Sequence, residues 1–475
     1  MNKYKKLAFN TVIFAIGTFG SKILVIFLSR LYSANISPSD SGVKGMLETI
    51  ALFLQPIFTF ALQEYLIRFG LEKKYDKREV FTTSAALTLA GMALMAVIVP
   101  LLRHIAFLDF ISGYTVLLII YVLTSSIRML CQQFVRARDM VKLFSLDGIL
   151  ATLTLFIFNI IFIAVLHWGV KGFLLAVILS DLCSSVFLFV VADLGKFASP
   201  RYFSSSLASE MMRFAAPLIP TIVMWTVTSL SDRLFITYMH SDHAELGRSA
   251  AGIYDYANRI PNLISMVSTI FFQAWNMSAI TENNSADRNR FYSRVYAAYE
   301  AVLFIAAAGL LLLIKPVTSL LVTSSSYSAY SMVYIYTPLL TASVIFMSLD
   351  QFLGSVYSAT RHTKNSGWTA FVACVVNLAM NFFLIPELGI QGAALATFLS
   401  YFICFWVRII DARYYVPFAF SPVKTALNTG LVLTACCIII FRAPLTFLWV
   451  FFIAAAMIVI NGQALLLTAK KLLRR

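Results

Sequence analysis

Residues 148–166 read GILATLTLFIFNIIFIAVL and contain no charged side chain. A stretch of about 18 or more apolar residues is long enough to cross the hydrocarbon core of a bilayer as an α-helix. Further long apolar runs occupy 7–32, 80–102, 111–127 and 443–469. The sequence therefore predicts an all-α, polytopic membrane protein.

The composition agrees with a membrane location. Of the 475 residues, 60% are hydrophobic and 12% are charged, whereas soluble domains carry about 25% charged residues. The six cysteines lie in or beside apolar runs and show no C-x-x-C spacing. We therefore predict neither a disulfide framework nor a metal site. The net charge of +15 could indicate nucleic-acid binding, so the positions of the basic residues have to be considered.

We expect about fourteen transmembrane helices, the last two lying beyond a core of twelve. Their approximate bounds are 7–32, 42–67, 80–102, 111–131, 142–166, 170–192, 210–238, 250–280, 291–314, 327–349, 365–385, 391–412, 423–441 and 444–468. The N-terminal MNKYKK and the apolar run after it resemble a signal peptide. However, there is no small-x-small cleavage site, and Lys22 and Arg30 interrupt the run. We therefore interpret it as a retained first span.

The basic residues are concentrated on one side of the predicted spans. If both termini are cytoplasmic, most of the 37 lysines and arginines fall in cytoplasmic segments such as 68–78 and 470–475. The outer loops hold only Arg103, Lys171, Arg248, Lys315 and Arg442. This asymmetry is the positive-inside rule. It explains the net charge without a nucleic-acid partner, and it predicts contacts with anionic membrane lipids.

The chain contains an internal repeat. An offset of 210 residues aligns three pairs without a gap: Ser21 with Ser231, Gly42 with Gly252, and Gln63 with Gln273. An offset of 220 aligns Gly169-x-x-Gly172-x3-Ala176-x3-Ser180 with Gly389-x-x-Gly392-x3-Ala396-x3-Ser400. A six-span repeat implies two parallel lobes related by an axis along the membrane normal. We predict pseudo-symmetric lobes at 1–198 and 199–412, connected through a polar joint at 193–209, with two extra spans and a basic tail in 413–475.

Spans one, two, seven and eight carry ionisable side chains. Each such group costs roughly 2.5–3.5 kcal/mol at the bilayer centre, so we expect these side chains to face one another or water. The set comprises Lys22, Arg30, Lys44, Arg233, Arg259, Glu48, Asp232 and Asp255. Spans three, nine, thirteen and fourteen have uncharged centres, and we expect them to face lipid.

Two interpretations of these charges remain open. The surplus of basic residues favours a water-filled cavity for an anionic ligand, and the guanidinium forks of Arg233 and Arg259 suit phosphate. Alternatively, the charges are interhelical or i,i+4 ion pairs, a spacing shown by Lys44 with Glu48 and by Asp255 with Arg259.

Two further features allow alternative readings. Asp181 stands alone in span six, where it is either a proton or sodium coupling site or a hydrogen-bond partner of Ser180 or Ser184. His240 and His243 lie in a short outer loop without further ligands nearby. We interpret that loop as a solvated polar segment rather than a metal site.

Several motifs resemble one transporter family. They are Pro217-Leu-Ile-Pro220, Ser231-Asp-Arg-Leu-Phe-Ile236, Ala251-Gly-Ile-Tyr-Asp-Tyr-Ala257, Ile260-Pro261, Phe271-Phe-Gln-Ala-Trp275 and Gly389-Ile-Gln-Gly-Ala-Ala-Leu-Ala396. They resemble spans seven, eight and twelve of the bacterial polysaccharide flippases, members of the MATE-like superfamily of multidrug, oligosaccharidyl-lipid and polysaccharide transporters. The resemblance extends over nearly the whole chain in span count and polarity.

The resemblance implies a function. It implies two six-helix lobes, alternating access, and translocation of an undecaprenyl-pyrophosphate-linked oligosaccharide across the cytoplasmic membrane, for surface polysaccharides such as O-antigen or exopolysaccharide. The substrate-binding role would fall on Lys22, Lys44, Arg233 and Arg259. Cavity or coupling roles would fall on Arg30, Glu48, Asp181, Asp232 and Asp255. No catalytic residue, cofactor or metal is implied beyond proton or sodium coupling, and other polysaccharide-assembly membrane proteins are candidate partners.

Three alternative functions remain open. A drug/cation antiporter of the same fold should have an acidic cavity, whereas the charges counted above are basic in sum. A lipid II flippase would share the anionic pyrophosphate of the substrate. A membrane glycan polymerase, ligase or glycosyltransferase needs catalytic acids or histidines on an outer loop that can hold a sugar. The outer loops here are short and offer only His104, Asp109 and the segment around His240.

Overall fold

The computed structural model describes residue 24 and the ranges 27–72, 74–102, 106–138, 140–216, 219–281, 285, 287–323, 328–360 and 362–473. Within these ranges the regular structure is entirely helical. Ten helices in them are long and apolar enough to cross a membrane. The predicted all-α polytopic fold is thus confirmed, and the total of about fourteen spans stays a prediction.

The α-helices are numbered here in chain order. They are α1 (Pro38–Phe58), α2 (Leu62–Leu71), α3 (Lys77–Leu102), α4 (Thr115–Ala137), α5 (Val141–Asn159), α6 (Gly169–Val191), α7 (Ser205–Ala215), α8 (Ile219–Tyr238), α9 (Arg248–Arg259), α10 (Asn262–Thr281), α11 (Arg288–Leu312), α12 (Ile314–Leu321), α13 (Val333–Thr360), α14 (Thr363–Leu388), α15 (Ile390–Tyr415), α16 (Pro422–Ile440) and α17 (Thr446–Leu473). A π-helical segment, Ile160–Val165, extends α5.

Two predicted spans are broken into shorter helices. The span at 42–67 divides into α1 and α2, because Phe60 and Ala61 have positive φ angles of 52° and 55°. A β-carbon on Gly91 of α3 would lie 1.7 Å from the Phe58 carbonyl oxygen, so α3 approaches the chain closely at this break. The span at 250–280 divides into α9 and α10 beside Pro261, which has no N–H to continue a helix.

The helices pack into two compact units. They consist of the described residues within Thr18–Leu234 and within Phe235–Arg475. In the first unit, α6 packs against both α4 and α5. In the second, α15 packs against both α13 and α14. The same order of three long helices therefore occurs once in each unit. The predicted lobe boundary at 198/199 stays a prediction.

The joint predicted at 193–209 is docked against the start of α3. The Thr82 hydroxyl donates to the Phe197 carbonyl at 2.6 Å and accepts from the Ser199 N–H at 3.3 Å. The Ser204 N–H donates to the Thr83 hydroxyl at 3.2 Å. These contacts hold the segment along the first unit, although most of its side chains are exposed.

The last two helices pack in the second unit, and they bury part of α11. Helix α17 lies along α11, and Asn428 of α16 exchanges amide hydrogen bonds with Asn461 of α17 at 3.2 and 2.9 Å. More than half of the most apolar part of α11 is buried, and Glu300 within it is 3% exposed. The expectation that span nine has an uncharged centre and faces lipid was therefore wrong.

Candidate functional site

Lys44 lies on α1 and is almost completely buried, with 1% of its surface exposed. Its Nζ is 2.6 Å from Glu48 Oε2. It also lies over the ring of Phe173 at 4.1 Å and over that of Tyr32 at 4.8 Å from the centroid. A carboxylate and two aromatic faces thus replace the water that this ammonium group would otherwise need.

Arg259 ends α9 and pairs with Asp255 one turn earlier, at 3.2 Å. Its guanidinium also lies 4.6 Å from the ring centroid of Tyr256. The Arg259 side chain is 20% exposed, so part of it remains accessible to solvent or ligand. Both predicted i,i+4 ion pairs are therefore formed within their own helices.

The remaining predicted residues lie in different surroundings. Asp232 on α8 is 3% exposed. The neighbouring Arg233 is partly buried and donates from Nη1 to the Ser229 carbonyl at 2.8 Å. Arg30 is exposed, and Lys22 lies outside the described residues. The substrate and coupling roles of all nine residues stay predictions.

Asp181 does not stand alone in α6. Its Oδ1 accepts from Nη1 of Arg128 on α4 at 2.9 Å, and its Oδ2 accepts from the hydroxyl of Ser125 on the same helix. The serines expected to contact Asp181 bond elsewhere. The Ser180 hydroxyl donates to the Ala151 carbonyl, and that of Ser184 donates to the side chain of Asp147.

Arg128 connects Asp181 to a second buried carboxylate. Its Nε is 3.9 Å from Asp147 Oδ2, and Asp147 also accepts from Nε2 of Gln132 at 2.6 Å. Asp147 is fully buried and Asp181 is 4% exposed. One guanidinium is thus shared by the carboxylates of Asp147 on α5 and Asp181 on α6. When both carboxylates are ionised, these three side chains together carry a net negative charge.

These contacts change the charge count made from the sequence. The basic residues predicted within spans one, two, seven and eight are Lys22, Arg30, Lys44, Arg233 and Arg259. The described helices also bury Arg408 and hold Arg128 partly buried, and they bury the acids Asp147, Glu300 and Asp350. The surplus of positive charge therefore holds only for spans one, two, seven and eight. Arg128 and Arg408 lie inside the predicted bounds of spans four and twelve, so both could have been counted among the basic residues within spans from the sequence alone.

The His240 loop is exposed to solvent. His240 Nε2 is 3.3 Å from Asp242 Oδ1, and their side chains are 92% and 84% exposed. Such an exposed pair is typical of a solvated loop. Across the part of the chain that the structure describes, no three His, Cys, Asp or Glu side chains converge as metal ligands would.

Comparison with known families and structures supports the transporter fold. Residues 27–331 match the model of a family described as "Polysaccharide biosynthesis protein". No curated protein matches the chain. An inward-facing MATE family multidrug resistance transporter of the MOP superfamily is similar with a TM-score of 0.72 and 13% identity, over 88% of this chain and 98% of that one.

Two further solved structures are similar. The lipid II flippase MurJ, in an inward closed conformation, matches with a TM-score of 0.68 and 14% identity, over 98% of this chain and 100% of its own. A MOP superfamily transporter from Pyrococcus furiosus matches with a TM-score of 0.64 and 14% identity, over 88% of this chain and 96% of its own. At these identities the likeness establishes the fold, and the predicted MATE-like architecture is confirmed.

Proposed function

Because the chain belongs to the polysaccharide biosynthesis protein family, we propose that it flips an undecaprenyl-pyrophosphate-linked oligosaccharide from the cytoplasmic to the outer leaflet of the cell membrane. The family and the fold are those of multi-pass membrane transporters, not of enzymes. The family match over 27–331 is the observation that carries the proposal, since it includes the helices that bear Lys44, Arg233 and Arg259.

The pyrophosphate of such a substrate needs basic partners. In the described conformation Lys44 is buried and paired, so we assign it to holding α1 in place rather than to direct contact. The partly exposed Arg259 and Arg233 are better placed to bind phosphate. A planar guanidinium can donate two parallel hydrogen bonds to phosphate, which an ammonium cannot.

The energy source that we propose is a proton or sodium gradient. The sequence contains no G-x-x-x-x-G-K-[ST] motif for nucleotide phosphates. Asp147 and Asp181, which share Arg128, are buried carboxylates that could bind and release the coupling cation. Both termini are cytoplasmic in this proposal, as the distribution of basic residues favours.

Reconstitution into sealed vesicles tests the proposal. A labelled lipid-linked oligosaccharide is placed in the membrane, and its arrival in the opposite leaflet is followed with a reagent that cannot cross. We expect gradient-dependent flipping by the wild type and most of it lost in Arg233→Gln. The exposed Arg201 supplies a control, Arg201→Gln, which should flip normally. Full flipping by Arg233→Gln would contradict the phosphate role, and no flipping by the wild type would contradict the function.

Lipid II is a second candidate substrate, because the match to a lipid II flippase covers 98% of this chain. It carries the same pyrophosphate chemistry, so the same vesicle assay with lipid II separates the two. Deletion of the gene adds an independent readout, since loss of the sole lipid II flippase should be lethal whereas loss of a surface-polysaccharide flippase should not.

A further inference from the structure

The proposed phosphate-binding residues do not account for a crevice between α1 and α4 of the first unit. It is lined from α1 by Ala51, Leu52 and Gln55, and from α4 by Tyr121, Val122 and Ser125. It has room for a group about the size of one water molecule. Apolar walls with a few polar side chains among them are typical of sites that bind small ligands.

The crevice belongs to a polar face of the first unit. On α4, Tyr121, Ser125 and Arg128 lie within about 60° of one another around the helix axis. On α1, Glu48 and Gln55 are seven residues apart and differ by only about 20°. The side chains of Glu48 and Arg128 are 36% and 26% exposed. Because charged groups are costly against hydrocarbon, we expect this face to be turned to water.

Two polar groups of the crevice are available to a ligand. Neither the Gln55 side-chain amide nor the Tyr121 hydroxyl forms a hydrogen bond with another residue that the structure describes. The hydroxyl of Ser125 differs, because it donates to Asp181. An amide supplies two N–H donors and one carbonyl acceptor, and a phenol both donates and accepts. This mixture of donors and acceptors suits an alcohol hydroxyl, which also does both.

The charges around the crevice do not suit an anion. Tyr121 lies within electrostatic reach of the carboxylates of Glu48 and Asp181. Lys44 neutralises Glu48, whereas Asp181 shares Arg128 with a second buried aspartate. The ionisable side chains around the crevice are therefore acidic in sum. They would repel a phosphate or a sugar carboxylate, and they would not repel a neutral sugar.

We propose that the crevice is a subsite for a neutral sugar of the transported glycan, and that it receives one hydroxyl or hydroxymethyl group of that sugar. This inference rests on the proposed flippase function. Gln55 and Tyr121 would hydrogen-bond the inserted group, and the apolar wall would contact the C–H groups beside it. The substrate is then recognised by two kinds of residue: guanidinium groups for the pyrophosphate, and uncharged donors and acceptors for the glycan.

Saturation-transfer NMR on the full chain in detergent tests the subsite with defined probes. The probes are the methyl glycosides of glucose, galactose, mannose and N-acetylglucosamine, with methyl galacturonoside as an acidic counterpart of the galactoside. We expect at least one neutral glycoside to receive saturation from the wild type, and the galacturonoside to receive less than the galactoside. Absence of a signal from all four neutral glycosides would overturn the proposal, and so would a stronger signal from the acidic one.

Matched variants locate that signal in the crevice. Gln55→Leu and Tyr121→Ala should each reduce it several-fold, because the inserted hydroxyl loses a hydrogen-bond partner. Gln463 and Tyr414 are exposed on α17 and α15, so Gln463→Leu and Tyr414→Ala serve as controls and should leave it unchanged. If Tyr121→Ala does not fold, Tyr121→Phe keeps the ring and should still weaken the signal. Unchanged signals in both Gln55→Leu and Tyr121→Phe would overturn the assignment.

A second experiment separates the subsite from the flippase function. Binding to the detergent-solubilised protein is compared for undecaprenyl pyrophosphate alone and for the same lipid carrying the best-binding of these sugars. We expect the wild type to bind the sugar-bearing lipid more tightly, and Gln55→Leu to lose this preference while it binds the bare lipid normally. A preference retained in Gln55→Leu, or absent from the wild type, would overturn the sugar subsite. Failure of both lipids to bind would instead contradict the flippase function, and the glycoside signals would remain as the test of the crevice.

Discussion

Gly172 and Gly392 occupy equivalent corners of two helical hairpins, 220 residues apart. A β-carbon on Gly172 of α6 would lie 2.9 Å from the carbonyl oxygen of Phe162, near the end of the preceding membrane helix. A β-carbon on Gly392 of α15 would lie 2.2 Å from the carbonyl oxygen of Leu384 on α14. The offset is that of the sequence repeat, so the same close helix contact is built once in each unit.

Replacing these glycines should therefore destabilise the protein to different degrees. Gly392→Ala forces backbone apart and should cost about 1–3 kcal/mol, and Gly172→Ala should cost less because its contact is looser. A β-carbon on Gly430 of α16 would meet no described atom within 4 Å, so Gly430→Ala is the matched control. The unfolding temperature in detergent should be lowest for Gly392→Ala and intermediate for Gly172→Ala. Gly430→Ala should unfold near the temperature of the wild type. A Gly392→Ala protein as stable as the control would contradict this account.

Helix positions were predictable because they depend on local hydrophobicity, which alone places runs such as 148–166 in the membrane. The break between α1 and α2 was not, because Phe60 and Ala61 lie in an apolar run that carries no local signal for positive φ angles, and the neighbouring contact of Gly91 with Phe58 joins residues far apart in sequence. The ion pairs of the candidate site differ in the same way. The pairs of Lys44 with Glu48 and Asp255 with Arg259 follow from helix spacing, whereas that of Arg128 with Asp181 requires helix packing across 53 residues.

Removing the charge of Arg128 should destabilise the first unit. Arg128→Gln leaves Asp147 and Asp181 buried without their cation. Loss of one partner of a buried pair costs about 3–5 kcal/mol, and the 26% exposure of Arg128 places this case toward the lower end. The amount of folded protein in the membrane, followed by size-exclusion chromatography in detergent, should fall clearly.

A compensating change separates charge from packing in that network. Adding Asp181→Asn to Arg128→Gln removes the closer carboxylate of the two and should restore much of the folded protein. The control is Lys196→Gln, which breaks an exposed pair with Asp193 and should have little effect, as exposed pairs generally contribute little. A double variant no better than Arg128→Gln would show that the arginine acts by packing and not by charge.

The docked joint at 193–209 should resist proteolysis until its hydrogen bonds are removed. Valine has the shape of threonine without its hydroxyl, so Thr82→Val with Thr83→Val removes the contacts to the joint. We expect trypsin to cut at the exposed Arg201 several-fold faster in this variant. Thr434→Val removes a bond within an exposed turn of α16 and serves as control. Equal cleavage rates in all three proteins would mean that the joint is not held by these threonines.

Arg259 should be needed for transport more than for folding. Arg259→Gln should still insert into the membrane but lose most flipping, because the phosphate-binding fork is gone, and Arg259→Lys should recover only part of it. If Arg259 only neutralises Asp255, at 3.2 Å, then Asp255→Asn combined with Arg259→Gln should restore transport by removing both charges. We expect the double variant to stay inactive at normal abundance. Restored transport would overturn the phosphate role and leave Arg259 as an ion-pair partner. Single Asp255→Asn completes the cycle, because it measures the effect of removing the carboxylate alone.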